Sequence, residues 1–375
     1  MLYNKFKDKN LSALGMGAMR LPTQGGSWDA PVDEEKAREI IEYVYEQGVN
    51  YFDTAFLYHS GESEKVLGRA LAQYPRESFY LADKFWYQSM TPDMTIKQFF
   101  EIQLDRCGVE YFDFYLVHNV SDETIEDYFE LDRTQKMMEY LESEKAAGRI
   151  RHMGFSCHSS TENMVRFLDF HDFDFVQIQC NYLDWTFQDA RGKYEILTER
   201  GIQVVVMEPV RGGALASHGE RLNALLKAAR PDESVAAWAF RFLQSLENVA
   251  VVLSGMSTMD QARDNAKTFG SRLPLNEAEK GLLETVMAEK LDLVPCTACR
   301  YCQTCPRNLD IPALISLYNE SLIDRNGAMW GIRALSEEQQ PGNCVSCGIC
   351  SKACPQGIDI PGVLAGLDRI IQEAE

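Results

Sequence analysis

The stretch Asn50-Tyr-Phe-Asp-Thr-Ala-Phe-Leu-Tyr58 begins as a short apolar run, reaches a carboxylate at Asp53 and then a phenol at Tyr58. Residues 61–68, Gly-Glu-Ser-Glu-Lys-Val-Leu-Gly, predict a turn followed by the beginning of a helix. In a barrel of parallel strands, a polar residue at the point where a strand gives way to a loop faces the active-site mouth. The stretch therefore predicts a strand that carries Asp53 and Tyr58 to such a mouth. Taken alone, it is explained equally well by an Asp that caps the next helix and a Tyr that packs on the rim.

The same alternation of strand and helix extends on both sides of this stretch. Eight such units favour a (β/α)8 TIM barrel, an α/β fold, over an open doubly wound sheet. No Gly-x-Gly-x-x-Gly opens a helix after an early strand, which disfavours a Rossmann fold. The predicted strands are 11–18, 51–52, 79–84, 112–117, 151–155, 175–179, 203–207 and 249–253, and the predicted helices are 33–47, 64–73, 96–107, 135–147, 163–170, 194–200, 234–246 and 260–269, with an insertion at 120–131.

Composition limits the classes of protein to which the chain can belong. Its 375 residues accommodate a barrel of about 250 residues and a smaller module. The net charge of −19 argues against binding to nucleic-acid phosphates or to an anionic membrane. No run approaches the roughly 20 apolar residues of a membrane span, and the N-terminus has no apolar signal core. A cytoplasmic protein is therefore expected.

The cysteines divide the chain into two parts. Only Cys107, Cys157 and Cys180 lie in the first 295 residues, whereas the other eight cysteines follow them. Such clustering in a reducing compartment indicates metal ligation rather than disulfides. The sequence thus predicts a barrel domain at 1–288 and a cysteine-rich domain at 289–375.

Polar residues end three consecutive predicted strands. Asp53, Lys84 and His118 end the second, third and fourth strands, and Tyr58 lies in the loop after the second. A lysine near a tyrosine lowers the pKa of the phenol because the cation stabilises phenolate, and an aspartate pairs with the lysine and orients it. A histidine at the same point can orient or polarise a carbonyl group. Each residue alone is more often structural, but together they predict a catalytic site.

These residues resemble the aldo-keto reductase family over roughly residues 10–270. The matching motifs are Asp53-Thr-Ala-x-x-Tyr58, Lys84 in Ala-Asp-Lys-Phe and His118 in Tyr-Leu-Val-His. The resemblance implies a catalytic tetrad of these four residues. It also implies hydride transfer between a nicotinamide cofactor and an aldehyde, ketone or alcohol, with Tyr58 as the proton donor.

The resemblance extends to the segments that would bind the cofactor. Ser156 and Gln177 would hydrogen-bond the carboxamide, Cys157 takes a place usually held by Asn, and Met207 falls where many members have an aromatic ring. A polarisable thioether suits the face of a nicotinamide ring. The implied cofactor-binding residues are Gly17, Ala18, Met19, Asp53, Ser156, Gln177, Met207, Glu208, Pro209, Val210, Ser254, Gly255, Ser257, Gln261 and Asn265.

The choice between NADP and NAD is expected to depend on the segment after the eighth strand. Members specific for NADP place a Lys and an Arg there to hold the 2′-phosphate, and here those places read Gly255 and Gln261. We therefore expect weak discrimination between NADH and NADPH, unless Arg211 or Arg263 supplies the missing charge.

Two cysteine motifs follow the barrel. They read Cys296-Thr-Ala-Cys299-Arg-Tyr-Cys302-Gln-Thr-Cys305-Pro306 and Cys344-Val-Ser-Cys347-Gly-Ile-Cys350-Ser-Lys-Ala-Cys354-Pro355. The second fits the bacterial ferredoxin pattern in full, and the first is one residue shorter before its last Cys. Each is followed by an Asp-Ile-Pro that can begin a helix, at 313–322 and 363–373. This repeat predicts an α-helical ferredoxin-like domain.

The motifs predict two [4Fe–4S] clusters. The exchange of the fourth ligand in ferredoxins implies that Cys296, Cys299 and Cys302 share one cluster with Cys354, and that Cys344, Cys347 and Cys350 share the other with Cys305. Two zinc sites, each with four cysteine ligands, are the rival interpretation, but closely spaced triads followed by Cys-Pro fit zinc poorly.

The two predicted domains handle electrons differently, because nicotinamide transfers two as hydride and each cluster takes one. No flavin-binding signal lies between them. We expect a small carbonyl or alcohol substrate and a ferredoxin or flavodoxin as the electron partner. Two alternatives stay open: the clusters are only structural, or the barrel is a redox-sensing platform that binds nicotinamide with little catalysis.

Overall fold

A computed structural model of the chain describes residues 1–26, 30–290, 293–294, 296, 299–323 and 325–374. It contains two compact units, Met1–Gly281 and Leu282–Glu375. The division lies within a helix, Glu277–Lys290, in which the predicted domain boundary at residue 288 also lies. Within the described ranges, no helix combines the length and the apolar character that crossing a membrane requires.

The first unit is built on a closed barrel of eight parallel strands, which confirms the predicted (β/α)8 architecture. Each strand pairs with the next along the chain, and the last closes the barrel against the first. The strands are buried along most of their length because a parallel sheet is covered on both faces. They are β3 Leu14–Gly17, β4 Tyr51–Asp53, β5 Tyr80–Phe85, β6 Phe112–Val120, β7 Ile150–Cys157, β8 Phe175–Gln179, β9 Gln203–Met207 and β10 Val249–Ser254.

An antiparallel hairpin precedes the barrel and corrects the predicted first strand. Strands β1 (Tyr3–Phe6) and β2 (Lys9–Ser12) pair with each other, so the barrel begins at Leu14 rather than at residue 11. The ring of Phe6 lies 5.1 Å from that of Phe114 and belongs to the buried cluster that fills the barrel interior. The hairpin thus fills part of the barrel, a role that the local sequence pattern does not reveal.

Helices cover the outside of the barrel and begin at residues suited to capping. The Asp33 side chain accepts from the Lys36 amide, and Thr95 and Gln98 form a capping box. The helices are α1 Glu34–Glu46, α2 Glu62–Leu71, α3 Ile96–Cys107, α4 Ile125–Gln135, α5 Met137–Ala146, α6 Thr161–Phe170, α7 Asp184–Phe187, α8 Ala190–Glu199, α9 Glu220–Ala229, α10 Val235–Leu243, α11 Met259–Thr268 and α12 Glu277–Lys290.

Two predictions about the connections were wrong. Strand β6 continues past residue 117 to Val120, and most of the predicted insertion at 120–131 is the helix α4. Helix α4 is held by the burial of Ile125 and Tyr128, whose i, i+3 spacing places both side chains on one face of the helix. Helices α7 and α9 were not predicted.

The second unit is helical. Its helices are α13 Ile311–Ile323, α14 Arg325–Arg333, α15 Ile349–Ala353 and α16 Ile360–Gln372. The sequence repeat becomes a structural repeat: Asp310 accepts from the amide of Ala313 at the start of α13, and Asp359 accepts from the amide of Gly362 at the start of α16. Helix α13 contacts both α14 and α16, and a separate apolar core joins them. Its arrangement agrees with the predicted helical type of cysteine domain.

Candidate active site

A buried ion pair occupies the ends of neighbouring strands β4 and β5. Lys84 Nζ donates to Asp53 Oδ1 at 2.5 Å and to the Thr54 carbonyl at 2.6 Å. The Lys84 side chain is fully shielded from solvent. The two residues meet because β4 and β5 pair in parallel and bring their carboxyl ends to the same edge of the barrel.

Tyr58 lies over this pair, in the turn between β4 and α2. Its ring centroid is 4.9 Å from Lys84 Nζ, and it meets the His118 ring edge-to-face at 5.9 Å. Tyr58 is 8% exposed, so its surroundings are largely protein. The structure therefore brings together all four residues that the sequence singled out.

Burial determines the protonation state of the phenol. It raises the pKa of Tyr58 above its ordinary value, and the nearby Lys84 ammonium only partly opposes this rise. For Lys84, burial is the largest single effect and disfavours the charged form, but Asp53, Tyr58 and Asp83 together exceed it and raise the pKa of Lys84. The expected lowering of the phenol pKa by lysine is thus present, but it is the smaller effect.

His118 is neutral in this setting. Burial lowers the pKa of its imidazole well below the ordinary value, and the positive charge of Lys84 adds to the effect. The ring lies between Tyr58 and Trp86, and its Nδ1 atom has no hydrogen-bond partner among the described residues. Because β6 continues to Val120, His118 lies within the strand rather than at its end.

The carboxyl-terminal parts of β7, β8 and β9 carry the next group of predicted residues. Ser156 and Gln177 are register neighbours on paired strands, and Gln177 Nε2 lies 3.6 Å from the Met207 sulfur. Ser156 Oγ accepts from the backbone N–H of Asn119 at 2.7 Å. The Oε1 atom of Gln177 is buried and makes no hydrogen bond within the described chain. A buried acceptor of this kind is costly unless a donor reaches it, so these residues fit a bound carboxamide group.

Cys157 faces away from this group. Its side chain lies in the apolar layer between strands and helices, and its thiol shares a 3.4 Å hydrogen bond with Ser159. Cys157 therefore presents no polar group toward the cofactor residues, although the family usually has an Asn at this position.

The closure of β10 against β3 brings the remaining predicted residues together. A Cβ on Gly17 would lie 3.8 Å from the carbonyl of Ser254, whose hydroxyl accepts from Asn265 at 3.0 Å. The Gln261 amide oxygen accepts from the Ser257 backbone at 2.8 Å and caps α11, so this side chain is already engaged. Ala18, Met19, Pro209 and Val210 lie in the loops after β3 and β9.

Sequence reasoning missed Arg20, which lies in the same region. A Cβ on Gly255 would meet the Arg20 side chain at 3.0 Å, and Arg20 Nη2 is 3.9 Å from Glu208 Oε1. The sequence could have identified Arg20, because it follows the first barrel strand and Gly255 follows the eighth, and these two strands must be neighbours in a closed barrel. By contrast, Arg211 is buried and paired with Asp184 at 3.2 Å, and the exposed Arg263 lies 3.6 Å from Asp260.

The eight clustered cysteines line two cavities in the second unit. One is lined by Cys305, Cys344, Cys347 and Cys350, and the other by Cys296, Cys299, Cys302 and Cys354. The other residues of the first cavity, among them Pro306, are mainly apolar, and the second cavity is completed by apolar residues such as Pro355 together with Arg300 and Gln356. The described cysteines form no disulfides.

These cavities agree with the exchange of the fourth cysteine between motifs that the sequence implied. Four free thiols around one cavity match the donor set of a [4Fe–4S] cluster. In the described part of the chain, no three Cys, His, Asp or Glu side chains are close enough together to hold a single metal ion.

Comparisons with known proteins agree with both parts of this description. The aldo/keto reductase family model matches residues 13–286, and a 4Fe–4S dicluster domain model matches residues 295–359. A probable aldo-keto reductase of Glycine max is 30% identical over 217 residues, which are 56% of this chain and 59% of that protein. An NADH-specific methylglyoxal reductase of Escherichia coli is 24% identical over 76% of this chain and 97% of its own.

A solved structure gives the same result for the fold. The aldo-keto reductase AKR11C1 from Bacillus halodurans, in its holo form, superposes with a TM-score of 0.62 at 28% identity and covers 76% of this chain and 96% of its own. The family model spans most of the chain and includes the barrel with its buried Lys84–Asp53 pair. The chain therefore belongs to the aldo/keto reductase family and carries a 4Fe–4S dicluster domain after its barrel.

Proposed function

We propose that the barrel reduces a small aldehyde or ketone, or oxidises the corresponding alcohol, with a nicotinamide nucleotide. The observation that carries this proposal is the buried Lys84–Asp53 pair beneath the phenol of Tyr58. Such an arrangement has the parts of a general acid: a proton donor, and a cation that stabilises the anion left behind.

Tyr58 is the proton donor in this proposal. Its raised pKa keeps the phenol protonated at neutral pH, so the hydroxyl can donate to a carbonyl oxygen. The Lys84 ammonium, fixed by Asp53, reduces the cost of the developing phenolate. The neutral imidazole of His118 orients the carbonyl by hydrogen bonding without adding a second positive charge. When bound, the nicotinamide nucleotide supplies or accepts the hydride.

The nicotinamide group would be held by residues in the carboxyl-terminal parts of β7, β8 and β9. The unpartnered Oε1 of Gln177 suits a carboxamide N–H, and Met207 suits the face of the ring. The family binds NADP(H), but this chain has Gly255 and a Gln261 that caps α11 where a Lys and an Arg hold the 2′-phosphate. Weak discrimination, with NADH accepted, is therefore proposed, and the NADH-specific E. coli relative is consistent with it.

We also propose that the dicluster domain holds two [4Fe–4S] clusters with the ligand sets that line the two cavities. When bound, each cluster carries single electrons. A ferredoxin or flavodoxin, which also carries single electrons, is the proposed electron partner. We place the protein in the cytoplasm, because clustered free thiols indicate a reducing compartment.

A Tyr58→Phe substitution tests the central role. It should lower kcat for carbonyl reduction by ~10²-fold or more and leave cofactor affinity nearly unchanged. Tyr51→Phe is the matched control, because the Tyr51 hydroxyl is also buried but makes no hydrogen bond in the described structure. An undiminished kcat in Tyr58→Phe would remove Tyr58 from the mechanism.

The same assays separate the alternatives for the clusters. If the enzyme keeps full turnover after anaerobic chelation of the iron, the clusters have only a structural role. Tight nicotinamide binding without turnover of any aldehyde or ketone would instead favour a redox-sensing platform.

A further inference from the structure

The turn that carries Tyr58 has an unusual backbone. His59, Ser60 and Gly61 all adopt left-handed conformations, with φ values of 50°, 56° and 88°. Glycine tolerates this region, but His and Ser do so at a cost. Such strain persists only where surrounding contacts fix the conformation, and it concentrates at functional sites. The contacts that fix this turn are therefore informative.

One contact joins the turn to the loop after β3. The backbone N–H of Leu21 donates to His59 Nε2 at 3.2 Å, and the His59 ring also hydrogen-bonds the Met19 backbone. Accepting at Nε2 requires a neutral imidazole. Partial burial lowers the pKa of His59 and favours that form.

A second path runs from Lys84 to the same loop. Lys84 Nζ donates to the Thr54 carbonyl, and the Thr54 hydroxyl shares a 2.9 Å hydrogen bond with the hydroxyl of Ser63. The Ser63 hydroxyl donates in turn to the Ala18 carbonyl at 3.0 Å. Ser63 is fully buried, so this path is shielded from water.

We propose that His59 is a positioning residue that links the turn of Tyr58 to the 18–21 loop. This loop contains Ala18 and Met19, which we place at the cofactor, so the inference rests on the proposed function. Through this link, the position of the phenol and the shape of the cofactor loop depend on each other. His59 contacts neither the substrate nor the reacting atoms in this proposal.

Three variants of the full-length, anaerobically purified protein test the link. His59→Leu removes the acceptor, and His59→Gln replaces it with an amide oxygen that can accept from Leu21. His171→Leu is the control: His171 is also partly buried and pairs with Glu142 through its Nε2, but it lies in the connection between α6 and β8.

The first measurement needs neither cofactor nor activity. Hydrogen exchange of the peptide that contains Leu21 should accelerate by about tenfold in His59→Leu, because the amide loses its partner. Exchange should remain near wild type in His59→Gln and His171→Leu. Unchanged exchange in His59→Leu, or equal acceleration in His59→Gln, would overturn the proposal.

The second measurement is functional. In His59→Leu, the Kd for NADH, measured by fluorescence titration, should rise and kcat should fall, each by about tenfold, and His59→Gln should restore both. A wild-type protein that binds no nicotinamide would refute the proposed function itself. A normal wild type with an unaffected His59→Leu would refute only the positioning role.

Discussion

An Asp53→Asn substitution removes the negative charge opposite Lys84 while keeping the shape of the side chain. Lys84 Nζ lies 2.5 Å from Asp53 Oδ1 and is fully buried, so the variant leaves it the Thr54 carbonyl but no carboxylate. Removing one partner of a buried ion pair costs about 3–5 kcal/mol because the remaining charge stays desolvated. We expect Asp53→Asn to lower the free energy of unfolding of the barrel by that amount at neutral pH.

The loss should depend on pH in a direction set by Lys84. In the wild type the pKa of Lys84 is raised, so its stabilising effect is present below the unfolded value of about 10.4 and is lost as the pH rises through the folded value. In the variant, burial without the carboxylate lowers the pKa of Lys84. The unfolded variant then binds more protons than the folded one, and its stability rises with pH. The difference between the two proteins should therefore shrink toward about pH 10.

Urea unfolding followed by circular dichroism, at neutral pH and again at about pH 10, measures the loss of stability and its dependence on pH. Asp169→Asn is the control, because Asp169 pairs with Arg200 on the surface, where such pairs contribute about 0–1 kcal/mol. The double variant Asp53→Asn/Lys84→Met should recover most of the loss, since no unpaired charge remains. The reasoning would be refuted if Asp53→Asn unfolded with the same free energy as the wild type, or if Lys84→Met lowered the stability of the double variant further instead of restoring it.

Further expected outcomes concern the clusters and the cofactor. Cys305→Ser and Cys354→Ser should each lose a different cluster, so the iron content of either variant should fall from about eight to about four per chain; loss of all iron from both would contradict independent ligand sets. NADPH should be preferred over NADH by less than ~100-fold, roughly 2.7 kcal/mol, in competitive titrations; a larger preference that disappears in Arg20→Ala would assign the 2′-phosphate to Arg20. Anaerobic titration with dithionite should produce electron paramagnetic resonance signals at low potential, because the charge of −19 opposes added electrons; silent clusters in a fully active enzyme would contradict an electron-transfer role.

The sequence was most informative where function depends on strand ends. Apolar runs that stop at Asp53 and Lys84 placed both residues at one edge of the barrel, and the closed barrel confirms the architecture behind that reasoning. His118 was identified correctly as a neighbour of Tyr58, although its strand continues beyond it. These predictions succeeded because strand order and direction fix such proximities without any detail of packing.

Features that depend on closure and burial were not predictable from the pattern. Arg20 reaches Gly255 only because β3 pairs with β10, at the opposite end of the barrel sequence. The pKa of Tyr58 rises rather than falls because desolvation exceeds the effect of Lys84, and neither magnitude is visible in a list of residues. The hairpin that places Phe6 inside the barrel was not predicted because its strands have only four residues each and bury one and two of them, which leaves no recognisable period.

The two cysteine-lined cavities have a consequence for biosynthesis. Each draws three thiols from one motif and its fourth from the other, so the ribosome completes the first set only when it has synthesised Cys354. Until then, Cys296, Cys299 and Cys302 are an incomplete ligand set on a growing polypeptide, open to oxidation or to capture of the wrong metal. With the proposed ligand sets, we expect cluster insertion to wait until the second motif has been synthesised.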